Sequence, residues 1–276
     1  PVYSCNIPAP ADSVRNFTFR TRRGLASEVK FARPKVLIPV FPGTNCEYDT
    51  AKAFADAGAD PEIYVIRNRT AEEFAGKMAG AQIVFIPGGF SGGDEPDGSG
   101  KFITAFFRGE RVREQVARLL DERQGLMGGI CNGFQALIKL GLVPYGRIID
   151  TDETCPTLTY NNIARHQSRI VRVRVASVQS PWLSLVEAGD VFSVPVSHGE
   201  GKFVASPALI EKLAENGQIM TQYVDLSGNA TMDVHFNPNG SAAAIEGILS
   251  PAGRVFGKMG HSERKGAGLY QNVPGE

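Results

Sequence analysis

Cysteine is scarce in this 276-residue chain: Cys5, Cys46, Cys131 and Cys155 are the only four, and no two form a C-x-x-C pair. Four scattered thiols make no disulfide framework, and a structural zinc or other metal site is not expected from them. Net charge is missing as well. Twenty-nine basic residues balance 29 acidic ones, so no overall field draws the chain toward nucleic acid or anionic lipid. No apolar run approaches the roughly 20 residues of a membrane helix. The opening PVYSCNIPAPADSVRN has no apolar centre of the kind a signal peptide needs. These absences point to an intracellular, cytoplasmic globular protein that acts on a small molecule, with neither nucleic acid nor membrane as partner.

What is present reads as one large α/β domain preceded by an arm. Residues 1–34 are Pro-rich and then basic, with Arg15, Arg20, Arg22, Arg23, Lys30 and Arg33 facing only Asp12 and Glu28. A linker or docking arm fits this composition. A nucleic-acid arm is the sharper alternative, but the rest of the chain carries no matching basic stripe. From Lys35 the punctuation becomes regular. KVLIPVF, EIYVI, IVFIP and GLMGGIC are short apolar strands alternating with helical stretches, IVFIP running into the glycine-rich loop GGFSGGDEPDGSG and GLMGGIC followed without a gap by the helical NGFQALIKL, and Thr70-Ala71-Glu72-Glu73 has the spacing of a capping box. Apolar strands alternating with helices predict a doubly wound, mostly parallel sheet with helices on both faces over residues 35–276. Beyond Pro144 the texture is richer in β structure, with SRIVRVRV, FSVPVS, QIMTQYV, AAAIEGI and RVFGKMG as strands and a helix starting at Ser206-Pro207.

The strongest chemical signal is Gly129-Ile130-Cys131-Asn132-Gly133, placed where a buried strand meets a helix. It has the form G-x-C-x-G, the thiol version of a nucleophile elbow, in which a strained turn lifts the central side chain to a helix N-terminus. Free N–H groups and the helix dipole favour an anion there. A buried structural cysteine is the bland alternative, and it is the preferred reading for Cys5, Cys46 and Cys155, which lack bracketing glycines. A cysteine nucleophile needs a base and a group to orient it. His261 follows the strand RVFGKMG with Glu263 two residues on, on the same side of an extended chain. His198 has Glu200 at the same spacing and is the rival, read here as a pocket wall; His166 and His235 receive no role. Pro87-Gly88-Gly89-Phe90 follows the third strand, where ligands of open parallel sheets collect. Its backbone N–H groups, with that of Asn132, suit an oxyanion hole. A phosphate loop is the competing reading, but the Gly-Lys-Ser/Thr ending is absent.

GICNGFQ, PGGF and GHSE resemble, in that order, the nucleophile, oxyanion and H-P-E motifs of class I glutamine amidotransferases. PGTNCE, SHGEGKF and NPNGS at 237–241 are similar to the glutaminase of phosphoribosylformylglycinamidine synthase within that family. The resemblance implies a catalytic triad of Cys131, His261 and Glu263 and an oxyanion hole of Gly89 and Asn132. It also implies a glutamine site of Gly88, Gln135, His198, Gly199 and Glu200. Ser262 departs from it, standing where the motif has proline.

The implied activity is hydrolysis of glutamine to glutamate and ammonia through a cysteine thioester, the ammonia serving the amidation of formylglycinamide ribonucleotide in purine synthesis. No cofactor is expected in this chain; ATP and magnesium belong to the partner synthase domains. The arm 1–34 reads as the tail of a preceding domain, which makes the chain the C-terminal part of a large single-chain enzyme. An intracellular cysteine hydrolase or peptidase on the same scaffold is an alternative, opposed by Gln135 and NPNGS. A silent regulatory partner of a synthase is another, opposed by the intact triad.

Overall fold

The computed structural model describes residues 14–22, 29–66, 71–91, 99–266, 268–270 and 273. The expected capping residue Thr70 and the centre of the glycine-rich loop, 92–98, lie outside the described residues. In the first half, strands and helices alternate as β1 (Lys35–Val40), α1 (Glu47–Asp56), β2 (Asp60–Val65), α2 (Ala71–Gly80), β3 (Ile83–Ile86), α3 (Lys101–Arg108), α4 (Glu110–Ala117), β4 (Leu126–Ile130), α5 (Asn132–Leu140) and the short α6 (Leu142–Tyr145). The second half contributes β5 (Thr157–Tyr160), β6 (Gln167–Val175), β7 (Val191–His198), β8 (Glu200–Val204), α7 (Pro207–Glu215), β9 (Ile219–Val224), β10 (Ile245–Leu249) and β11 (Val255–Lys258).

Nine strands form one sheet in the order β2-β1-β3-β4-β11-β10-β9-β6-β7. The first five run parallel, and each junction from β11 to β7 is antiparallel. The parallel strands β3, β4 and β11 are almost wholly buried, as continuous apolar runs covered by helices should be. β6 instead alternates buried valines with more exposed arginines along VRVRV, the pattern of a strand with one face outward. β5 and β8 pair as a separate small sheet, which the sequence reading does not anticipate. Their sequences, TLTY and EGKFV, are short and carry no period.

The sheet order determines where chemistry can occur. In a doubly wound sheet, loops from the carboxyl ends of neighbouring parallel strands converge at one crevice. Here β1, β3, β4 and β11 are neighbours, and the segments that follow them carry Cys46, Gly88-Gly89, Cys131 and His261 in turn. The hinge of this arrangement is Gly133, in the first turn of α5. A Cβ built there would lie 2.1 Å from the Ile86 carbonyl oxygen, so only glycine lets the helix seat against the end of β3.

Residues 14–22 lie along the antiparallel half. Phe17 is buried, and its N–H donates to Gln222 Oε1 at 2.9 Å. Phe19 N–H donates to the Ala176 carbonyl, and Val178 N–H to the Phe19 carbonyl. Arg174 reaches back to the Phe17 carbonyl at 2.6 Å.

Gly133→Ala should lower the unfolding free energy by about 2–3 kcal/mol through overpacking, read from urea denaturation. Gly76, in α2, has nothing within 4 Å of its virtual Cβ. Gly76→Ala should raise stability by roughly 0.5–1 kcal/mol. Equal effects of the two substitutions would show that helix propensity, not the β3 contact, governs Gly133.

Candidate active site

Cys131 caps α5 with φ 54° and ψ −107°, a conformation that costs a non-glycine residue roughly 1–3 kcal/mol. The chain holds it there from both sides. Cys131 N–H donates to the Lys258 carbonyl at 2.9 Å, and the Cys131 carbonyl accepts from Gln135 N–H at 3.0 Å. The flanking glycines are steric necessities, since a Cβ at Gly129 would sit 2.7 Å from the Gly133 carbonyl carbon. Asn132 is the first residue of α5, so its N–H has no intrahelical acceptor.

His261 and Glu263 lie in the turn after β11. His261 Nδ1 and Glu263 Oε1 are 2.6 Å apart, and both residues are buried. The sequence reading places the pair on one side of an extended strand end; the structure instead bends the backbone, with Ser262 N–H donating to the Gly260 carbonyl and Lys265 N–H to the Glu263 carbonyl. The i, i+2 side chains still meet across this tight bend. His261 N–H donates to the Pro195 carbonyl of β7 at 2.8 Å. Nε2 makes no hydrogen bond among the described residues, leaving it the nitrogen free to exchange a proton. Burial opposes a charged ring, but Cys131, Cys46 and Glu263 together outweigh it and push the pKa up to about 12.

The meeting point of these groups is Gly88. A Cβ there would fall 2.7 Å from His261 Cε1, 3.2 Å from Cys46 Sγ and 3.5 Å from Cys131 Cβ. Gly89 is equally constrained, its virtual Cβ being 2.4 Å from the Gly43 carbonyl oxygen. The Gly88 carbonyl accepts from Asn45 N–H and Cys46 N–H, which ties the loop after β3 to the loop after β1.

Gln135, Glu200 and Asn132 are joined in a relay. Asn132 Oδ1 accepts from Ser91 N–H at 3.1 Å, Asn132 Nδ2 donates to Gln135 Oε1 at 2.9 Å, and Gln135 Nε2 donates to the Glu200 carbonyl at 2.7 Å. The Glu200 carboxylate accepts from the Ser99 hydroxyl. Gly199, between β7 and β8, accepts through its carbonyl from Asn161 N–H. His198 is buried with Nδ1 3.1 Å from Asn161 Oδ1, and a Cβ on Gly201 would strike its ring at 2.3 Å. Burial, reinforced by the neighbouring His261 and His166 rings, brings its pKa down to about 3, so the ring stays neutral. Cys131 Sγ lies 3.6 Å from the Ser197 carbonyl, which puts the 197–200 segment beside the thiol. His235 is outside this cluster, exposed and paired with Asp233.

Three neighbours have contacts that the sequence alone does not assign. Cys46 Sγ is 3.8 Å from His261 Nδ1 and accepts from Arg264 at 3.2 Å; Asn161 supports His198; and NPNGS acts as a brace, Asn239 and Ser241 both donating to the Gly201 carbonyl. Arg264 follows Glu263 directly, so a charged residue beside the carboxylate that holds His261 is the one local signal. Cys46, His261 and Glu263 also place three ligand-type atoms within 4.8 Å of one another. With the Arg264 guanidinium against the Cys46 sulfur, this set fits a hydrogen-bonded base better than a cation. Beside His261 a cavity of about 540 Å³ opens, bounded by Pro195, Arg264, Lys265 and Tyr270.

Comparison with known proteins places the chain in a family. Residues 33–276 match the family described as CobB/CobQ-like glutamine amidotransferase domain. The chain is 36% identical over 233 residues to phosphoribosylformylglycinamidine synthase subunit PurQ of Methanococcus maripaludis, covering 84% of this chain and 82% of that protein. It is 37% identical over 235 residues to the subunit of the same name from Dehalococcoides mccartyi, covering 84% and 86%. Among solved structures, a chain of PurLQS from Thermotoga maritima matches with a TM-score of 0.61 at 26% identity, covering 84% of this chain and 89% of that one. No helix among the described residues is long and apolar enough to cross a membrane. The chain belongs to the CobB/CobQ-like glutamine amidotransferase family and, within it, to the class I glutamine amidotransferases of PurQ type.

Proposed function

We propose that this chain hydrolyses glutamine to glutamate and ammonia and delivers the ammonia to the amidation of formylglycinamide ribonucleotide in de novo purine biosynthesis. The observation that carries the chemistry is a strained, helix-capping Cys131 one strand away from a buried His261–Glu263 pair. The kinship with PurQ subunits carries the pathway. The Cys131 sulfur attacks the side-chain carboxamide carbon, and the N–H groups of Gly89 and Asn132 receive the charge on its oxygen. His261, held by Glu263, gives its proton to the nitrogen as the C–N bond breaks and ammonia leaves. Water then adds to the γ-glutamyl thioester while His261 takes its proton, and the C–S bond breaks to release glutamate and return the sulfur as thiolate beside the protonated His261.

In this reading Gly88, Gln135, His198, Gly199 and Glu200 shape the glutamine pocket. Gln135 does so by holding the 198–200 segment through the Glu200 carbonyl. ATP and magnesium act in the synthase domains, which sit in the same polypeptide or a partner chain. Residues 1–34 are read as the connection toward those domains.

Cys131→Ala should abolish glutamine-dependent synthesis and leave ammonia-dependent synthesis by the assembled enzyme intact. Survival of glutamine hydrolysis in this variant, with loss in Cys46→Ala, would transfer the nucleophile to Cys46. His261→Ala should lower kcat by roughly 10²–10⁴, Glu263→Gln by less, and His198→Ala should chiefly raise KM for glutamine. Collapse of thioester formation in His198→Ala with His261→Ala near normal would exchange the two roles.

His198 also has a consequence for acid stability. Its folded pKa lies below the ordinary 6.5, at about 3, so the unfolded chain binds the extra proton first. Stability is therefore lost as pH falls from 6.5 toward 3. His198→Gln should flatten that slope in denaturation curves, and an unchanged slope would mean the ring is already charged in the folded protein.

A further inference from the structure

A buried ion pair stands behind the turn that carries the base. Lys258 on β11 is 5% exposed and Glu246 on β10 is 1% exposed, their Nζ and Oε1 atoms 3.8 Å apart. Lys258 Nζ donates to Ser262 Oγ at 2.7 Å. Glu246 Oε1 accepts from Gly260 N–H at 2.6 Å, and its other oxygen accepts from the Thr221 hydroxyl. Gly247 makes the space, since a Cβ there would come within 2.8 Å of Lys258 Cβ and of Thr221 Oγ1.

Two charges removed from water are costly to keep, and an apolar pair of equal volume often serves stability as well or better. Stability therefore does not account for them. What an apolar pair cannot do is grip residues 260 and 262, the two neighbours of His261. Glu246 needs a free N–H at 260, and Lys258 needs an acceptor at 262. The chain supplies glycine at the first and, where the resembled motif has proline, serine at the second. Lys258 also touches the nucleophile, because its carbonyl accepts the Cys131 N–H.

We propose that Glu246 and Lys258 are positioning residues that clamp the His261 turn from both sides, replacing by charged hydrogen bonds the stiffness a proline ring would give at 262. This rests on the reading of His261 as the general base. The clamp sets the approach of His261 to Cys131, so its loss appears in kcat and not in glutamine binding.

The test compares glutamine hydrolysis by the full chain, assayed with its synthase partner, for the wild type and four variants. Ser262→Ala deletes only the acceptor and should lower kcat roughly tenfold with KM within about twofold; Ser262→Thr, which keeps the hydroxyl, should recover most of the rate. Lys258→Met should lose at least as much as Ser262→Ala, and adding Ser262→Pro to Lys258→Met should restore most of it. Unchanged kcat in Ser262→Ala, a loss confined to KM, or a Ser262→Thr no better than alanine would overturn the clamp. Should Lys258→Met fail to fold, the Ser262 pair decides alone. A wild type without glutaminase activity would instead refute the proposed function, and the clamp with it; an active wild type matched by Ser262→Ala refutes the clamp only.

Discussion

The close approach of three backbones at one point governs the rest of the molecule. Where α5 meets the ends of β3 and β4, Gly133 lies against the Ile86 carbonyl and Gly129 against Gly133. No side chain fits between them, and Cys131 is left in a left-handed conformation. The surrounding sheet must over-determine that conformation for it to persist. It does so through the Lys258 carbonyl from β11 and through the first turn of α5. A strand far along the chain thereby fixes Cys131, and the same strand leads into His261, so the two residues share a reference point.

Support for the pocket is layered in the same manner. The 198–201 segment is held by polar groups: Gln135 on the Glu200 carbonyl, Asn161 on His198 and Gly201, Asn239 and Ser241 on the Gly201 carbonyl. Buried networks of this kind cost little when every member is satisfied and much when one is removed. Asn161, Asn239 and Ser241 thus belong to the architecture of the site although none carries chemistry.

The parallel half of the sheet is legible in the sequence because each strand is a short apolar run bounded by glycine or proline. The elbow is legible because its steric logic is local, glycines two residues either side of a cysteine. His261 and Glu263 are readable as a pair for the same reason, although the turn that joins them is not. The order in which β11, β10, β9, β6 and β7 follow one another is not legible, since antiparallel register depends on partners dozens of residues away. Nor is the place of Cys46. Nothing in PGTNCE says that a histidine 215 residues later comes within 3.8 Å of its sulfur. β5 and β8 are missed because four or five residues of mixed polarity carry no period, and the Glu246–Lys258 pair because each residue interrupts an otherwise apolar strand without announcing the other.

Gln222 is fully buried in β9 and touches two separate segments, with Oε1 on the Phe17 N–H and Nε2 on the carbonyls of Arg15 and Ala243. Ala243 lies two residues before Ile245, the first residue of β10, and β10 pairs with β11. The segment 14–22 is therefore tied through one amide group to the stretch that leads into β10, the strand beside β11.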